Sequence, residues 1–159
     1  MEDYKVLSDD SKVWIYQSNR PFTADELKKL RPVLSKFADQ WVSHNQQLKA
    51  YADVFNDQFI VLMVDESMAG ASGCSIDSSV HFVKQIESAF QVNLFDRMTF
   101  TYQDGNEVKA APREEFARLY QSGVINDNTL VFDTLVKTKK DFQESMLKPL
   151  GQSWHKRMV

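Results

Sequence analysis

The chain has 159 residues, 43% of them hydrophobic and 12% aromatic, a load that a disordered segment does not carry and that one domain can bury. Its 22 acidic and 19 basic residues are interleaved and leave a formal charge of −3. That balance argues against nucleic acid as a partner, because such affinity rests on neutralising phosphates, and a single cysteine excludes an internal disulfide.

The start, Met1-Glu2-Asp3-Tyr4-Lys5, is acidic and lacks the apolar stretch of a secretory signal. The longest apolar run, Phe59 to Val64, is far short of the ~20 residues that cross a bilayer. The expectation is a cytoplasmic protein without membrane insertion. Lys12 to Ser18 (KVWIYQS) is aromatic and β-branched and stops at Asn19-Arg20-Pro21, so it reads as a strand. Thr23 with Glu26 forms a capping-box pair. It opens a helix striped by Leu27, Leu30, Leu34, Phe37, Ala38 and Trp41 that ends near His44-Asn45. Pro32 inside it predicts a kink, or a start just before it. LKAYADVF and QFIVLMVD flank Asn56-Asp57 as a hairpin, and the second run is apolar enough for a central strand buried on both faces.

After the small-residue stretch Met68 to Phe82, Val80, Val83, Ile86 and Phe90 mark a second amphipathic helix. RMTFTYQ, the turn Asp104-Gly105-Asn106 and EVKAA read as two further strands. Pro112, Glu114 and Glu115 open a short helix with Phe116, Leu119 and Tyr120 on its apolar face and Gly123 at its C-terminus. TLVFDTLV then reads as a strand, and a closing helix precedes Pro149. The order predicts an α+β, ferredoxin-like split β-α-β fold, with an antiparallel sheet carrying helices on one face, plus a C-terminal β-α-β-α extension. Residues 1–159 would form a single domain, with the core at 1–110 and the extension at 111–159 packed on it.

Three segments, WIYQSNRPFT, ASGCSIDSSVHFV and DTLVKTKKDF…PLGQSWH, resemble a small, uncharacterised protein family of Bacteroidetes whose members are often labelled "ABC transporter ATPase". The label finds no support in these residues. A phosphate-binding loop needs G-x-x-x-x-G-K-[ST], and no lysine follows Gly70-Ala71-Ser72-Gly73. The resemblance implies an identity and no mechanism. APREEFARLYQSGVINDNTLVF also resembles the helix-then-G-x-I…T-x-V pattern of GYF-like modules, and that resemblance implies binding of proline-rich peptides.

Chemistry concentrates in MAGASGCSIDSSVHF, between the buried strand and the second helix. Amides at a helix start attract anions and favour a thiolate. Cys74 is therefore a candidate nucleophile, with His44 or His155 as its base. Asp77 opposes a thiolate, and a small buried residue is the plain alternative for Cys74. Ser75, Asp77, Ser78 and Ser79 offer more polar groups than one cap requires, with Ser75 or Asp77 the expected N-cap. Arg20, beyond the first strand, joins them as an anion-binding group if that strand and the one leading into the loop are neighbours.

His44 and His81 lack metal-ligand spacing, so no metal and no cofactor are expected. Asp65-Glu66 reads as a solvated strand end, and the basic runs Lys137 to Lys140 and His155 to Arg157 as solvated faces. Trp154 and His155 read as packed onto the fold, with an exposed interface anchor as the alternative. The expectation is a non-enzymatic domain that binds a partner protein or small polar ligand at Cys74–Ser79. The rival is a thiol-dependent enzyme with Cys74 as nucleophile, and the exposed sheet face and Trp154 tail leave room for a homodimer.

Overall fold

The computed structural model describes residues 3–159, so Met1 and Glu2 of the acidic start lie outside the described residues. After a 3-10 turn at Tyr4–Val6, strand β1 runs Lys12–Gln17 and helix α1 runs Ala24–Gln40. The capping box forms: Thr23 Oγ1 accepts the Glu26 amide at 3.1 Å, and the Glu26 carboxylate accepts the Thr23 amide at 2.9 Å. The helix starts well before Pro32 and continues through it. It ends at Gln40, four residues short of the expected stop. His44 (φ 50) and Asn45 (φ 64) instead take left-handed conformations between the short strands β2 (Val42–Ser43) and β3 (Gln46–Gln47). Two such residues form the tight hairpin loop that helical periodicity does not reveal.

Strands β4 (Lys49–Phe55) and β5 (Phe59–Asp65) form the expected hairpin around Asn56 (φ 53) and Asp57 (φ 56). The first sheet has the antiparallel order β1-β5-β4. Helix α2 (Gly73–Phe90) joins α1 on one face. There Leu30, Leu34, Val83 and Ile86 pack with Ile60, Leu62 and Val64. The alternate residues Phe59, Val61 and Met63 point the other way, against Phe132, Val136, Phe142 and Met146. All seven residues of β5 are buried as a result.

Strands β6 (Thr99–Asp104) and β7 (Glu107–Pro112), helix α3 (Arg113–Gln121), β8 (Leu130–Phe132), helix α4 (Lys139–Ser145) and β9 (Leu147–Pro149) follow. The four strands form a second antiparallel sheet, ordered β7-β6-β8-β9. The fold is thus α+β with open antiparallel sheets. It departs from the ferredoxin-like order at one strand. That order would seat β6 beside β1, but β6 pairs with β7 along one edge and with β8 at Tyr102 on the other, and the strand that β1 pairs with is β5. The architecture accordingly changes between α2 and β6, ahead of residue 110. Of TLVFDTLV, only Leu130–Phe132 is strand.

Candidate functional site

The N-cap of α2 is Ser72, ahead of the expected Ser75 or Asp77. Its hydroxyl accepts the Ser75 amide at 3.2 Å, while Ser75 Oγ accepts the Ser72 amide at 2.7 Å and donates to the Ser72 carbonyl at 2.8 Å. Ser79 is buried and donates to the Ile76 carbonyl at 2.6 Å. Two of the four polar groups at this corner are therefore spent on the helix itself. Cys74, Asp77 and Ser78 are exposed.

Arg20 is not beside them. Its guanidinium grips Glu26 at 2.7 and 2.9 Å and donates to the Phe90 carbonyl at 2.9 Å, at the far end of α2. Cys74 and Phe90 lie at opposite ends of α2, sixteen residues apart, or about 24 Å. That grip, aided by the Thr23 amide, pulls the Glu26 carboxyl down to about 2. The two candidate bases are dispersed as well. His44 sits in the β2–β3 turn, and His155 is buried against Phe100, Phe116 and Trp154. Neither hydrogen-bonds to Cys74. His81 faces Gln85, at 3.4 Å. Asp65 is a buried clamp: burial raises its carboxyl, but the amides of Ser8 and Ser67, each at 3.0 Å, outweigh that and hold it well below the usual range. Among the described residues no three potential metal ligands gather, and no helix is long and apolar enough to cross a membrane.

A second candidate opening lies elsewhere. It is a cleft of about 740 Å³ between β1 and the second sheet, within the ordinary range of ligand sites. Trp14, Ile15 and Tyr16 form one wall, and Phe95, Phe100 and Trp154 are among the residues facing them. Met98 and Leu135, 51% and 54% exposed, form apolar lips. Four cations line the cleft, Lys12, Arg97, Lys137 and Arg157, against one acid, Asp96. Asp96 is occupied by the Met98 amide and the Thr99 hydroxyl, each at 2.8 Å. Lys12 pairs with Glu66 at 3.1 Å. The side chains of Arg97, Lys137 and Arg157 have no ion-pair partner among the described residues. Arg97 lies close enough to Tyr16 to be felt there: burial pushes the phenol up, and the guanidinium pulls it back in part.

The tail completes the cleft and packs, as its composition suggests. Trp154 stacks on His155 at 3.8 Å between ring centroids. Its indole N–H donates to Asp133 Oδ1 at 2.8 Å, and Lys148 Nζ donates to Asp133 Oδ2 at 2.7 Å. Ser153 Oγ lies 2.6 Å from His155 Nδ1, and burial lowers this imidazole to about 4, so it is neutral at pH 7. The basic run is not wholly solvated. Lys139 is buried and donates to the carbonyls of Leu7 at 2.7 Å and Lys5 at 3.2 Å.

Sequence reasoning missed this cleft because its walls come from segments far apart in the chain. The one local sign was the costly Trp154-His155 pair at the C-terminal end. Comparison with known proteins returns no match to a family model, a curated protein or a solved structure.

Proposed function

We propose that the protein is a non-enzymatic binding protein whose cleft between β1 and β6 takes a ligand with an apolar body and a negative charge. The observation that carries this is the trio Arg97, Lys137 and Arg157, without ion-pair partners among the described residues, around an aromatic-walled opening in a chain of net charge −3. Cations left without partners at a concave apolar site favour an anionic guest, because a low-dielectric wall strengthens each attraction. The Cys74–Ser79 corner supports binding less well, since its buried hydroxyls already cap α2.

The probe is 8-anilinonaphthalene-1-sulfonate, an anionic aromatic dye, followed by its own fluorescence and by the quenching of Trp14 and Trp154. One saturable site that weakens with salt is expected. The double variant Arg97→Glu, Arg157→Glu should bind the dye at least 10-fold more weakly while its circular dichroism is unchanged. Equal binding of an uncharged dye, or no loss in the double variant, sinks the reading.

A further inference from the structure

We infer that the occupant of this cleft is an extended peptide segment bearing acidic side chains, added as a strand to the free edge of β1. This rests on the cleft being a binding site for anions, and it names the kind of partner.

The argument starts from hydrogen-bond alternation. In an antiparallel pair, residues alternate between facing the partner strand and facing away. The Ser18 amide bonds to Gln58 at 2.9 Å on the β5 side. The Val13 amide bonds to the Lys137 carbonyl at 3.0 Å, on the opposite edge. Even-numbered residues of β1 therefore pair with β5, and odd-numbered ones present their N–H and C=O groups to the cleft. That outer edge is closed at both ends. Residues 137–139 cover it at Lys12 and Val13, and the Asn93 carbonyl takes the Asn19 amide at 3.1 Å. Between these stoppers lie Ile15 and Gln17, with no strand on that outer edge among the described residues.

An open strand edge is a template for another chain, and proteins normally blunt it with charge, proline or a covering segment. Between the two covered ends β1 reads Trp14, Ile15 and Tyr16, with neither charge nor proline, and the open groups of Ile15 stand inside a cleft rather than on an outer rim. The Gln17 side chain gives a second indication. Its amide donates to the Thr99 carbonyl at 3.1 Å and its oxygen accepts from the Thr101 hydroxyl. A side-chain amide thus stands between β1 and β6 at one end of the cleft, where a peptide group of an inserted strand would otherwise lie. Strand addition takes affinity from main-chain hydrogen bonds and specificity from alternate side chains. Aromatic walls receive the apolar positions, and Arg97, Lys137 and Arg157 select acidic ones. A lysine-rich segment is disfavoured by the same charges.

The experiment uses the full chain and two measurements. Amide hydrogen exchange of the free protein comes first. The Ile15 amide should exchange at least 100-fold faster than those of Trp14 and Tyr16, and equal protection overturns the inference at once. Next, an equimolar pool of octapeptides alternating Val/Ile/Phe with Asp/Glu is added, beside a matched pool with Lys. The acidic pool should displace the anionic dye and slow Ile15 exchange at least 10-fold, and the Lys pool should do neither. Methylating the backbone nitrogens along one edge of the acidic peptides should abolish binding, and methylating the other edge should leave it. If the dye binds but the acidic pool leaves Ile15 exchange unchanged, the cleft is a small-molecule site and the peptide inference fails alone. If neither binds, both readings fail.

Discussion

The Cys74 corner and the β1–β6 cleft are opposite kinds of surface. The corner is rich in chemical groups, and the structure turns Ser75 and Ser79 inward onto one helix end while Cys74, Asp77 and Ser78 face solvent. Ser72 and Ser75 satisfy each other's amides, and Ser79 closes on its own turn. The cleft is poor in motifs, yet three of its cations have no ion-pair partner, and the outer edge of β1 no strand, among the described residues. A polar group indicates a binding site when something leaves it unspent, and a local cluster of polar residues commonly spends itself on capping. The two regions should therefore answer mutation differently: the corner through stability alone, the cleft through binding as well.

The largest effect is expected at the cleft wall. Asp133 is buried and takes Lys148, the Trp154 indole and the Leu135 amide. Burial raises its carboxyl, and those donors outweigh burial and hold it below the usual range. Asp133→Ala leaves the ammonium and indole without their partner, at a cost of about 3 kcal/mol. Urea unfolding should show that loss, and dye binding should fall with it because Trp154 is part of the wall. A stability change without a binding change would separate the tail from the cleft.

The neighbouring His155 adds a pH signature of similar size. Its folded pKa is about 4, below the ordinary 6.5, because burial disfavours the cation. Its contribution to stability is therefore complete above pH 6.5 and is lost as pH falls from 6.5 toward 4. At ~1.4 kcal/mol per unit, the whole loss is roughly 3 kcal/mol. Asp133 and Lys148 face the same ring, with opposite influences on it. Unfolding free energies at pH 7 and 5 should differ in the native chain and much less in His155→Phe. An unchanged slope in that variant would place the pH response elsewhere.

How much of this was legible in the sequence follows from the range of each interaction. The Thr23–Glu26 box, the α1 and α2 stripes and the doubly buried β5 depend on spacings of a few residues, and a single sequence shows them. The seating of β6 depends on competition between β1, β7 and β8 for its two edges, which no local pattern records. Arg20 illustrates the same limit: it follows β1 in sequence, but its partners Glu26 and Phe90 put it at the wrong end of α2 for Cys74. The cleft is invisible for that reason. Lys12, Arg97, Lys137 and Arg157 are scattered over the chain, and only the fold makes them neighbours.

Smaller effects belong to the corner. Ser72→Ala removes the acceptor for the Ser75 amide and should cost about 1 kcal/mol, the ordinary value of an N-cap. Dye affinity should stay the same, since neither serine lines the cleft. A loss of affinity would link α2 to the site, and Ile76, which does line it, would be the route.

The smallest effect is expected where the sequence is loudest. Cys74 is exposed, and exposed Asp77 and Ser78 lie along the same first turns. Surface substitutions of this kind fall within ~0.5 kcal/mol. The triple variant Cys74→Ser, Asp77→Asn, Ser78→Ala should therefore match the native chain in unfolding and in dye and acidic-peptide binding. If peptide affinity fell 10-fold while stability held, the corner would be part of the binding surface, and the contrast between the two regions would fail. If only Cys74→Ser abolished a turnover measured with the native chain, the thiol would be acting as a nucleophile, and a binding role alone would not describe the protein.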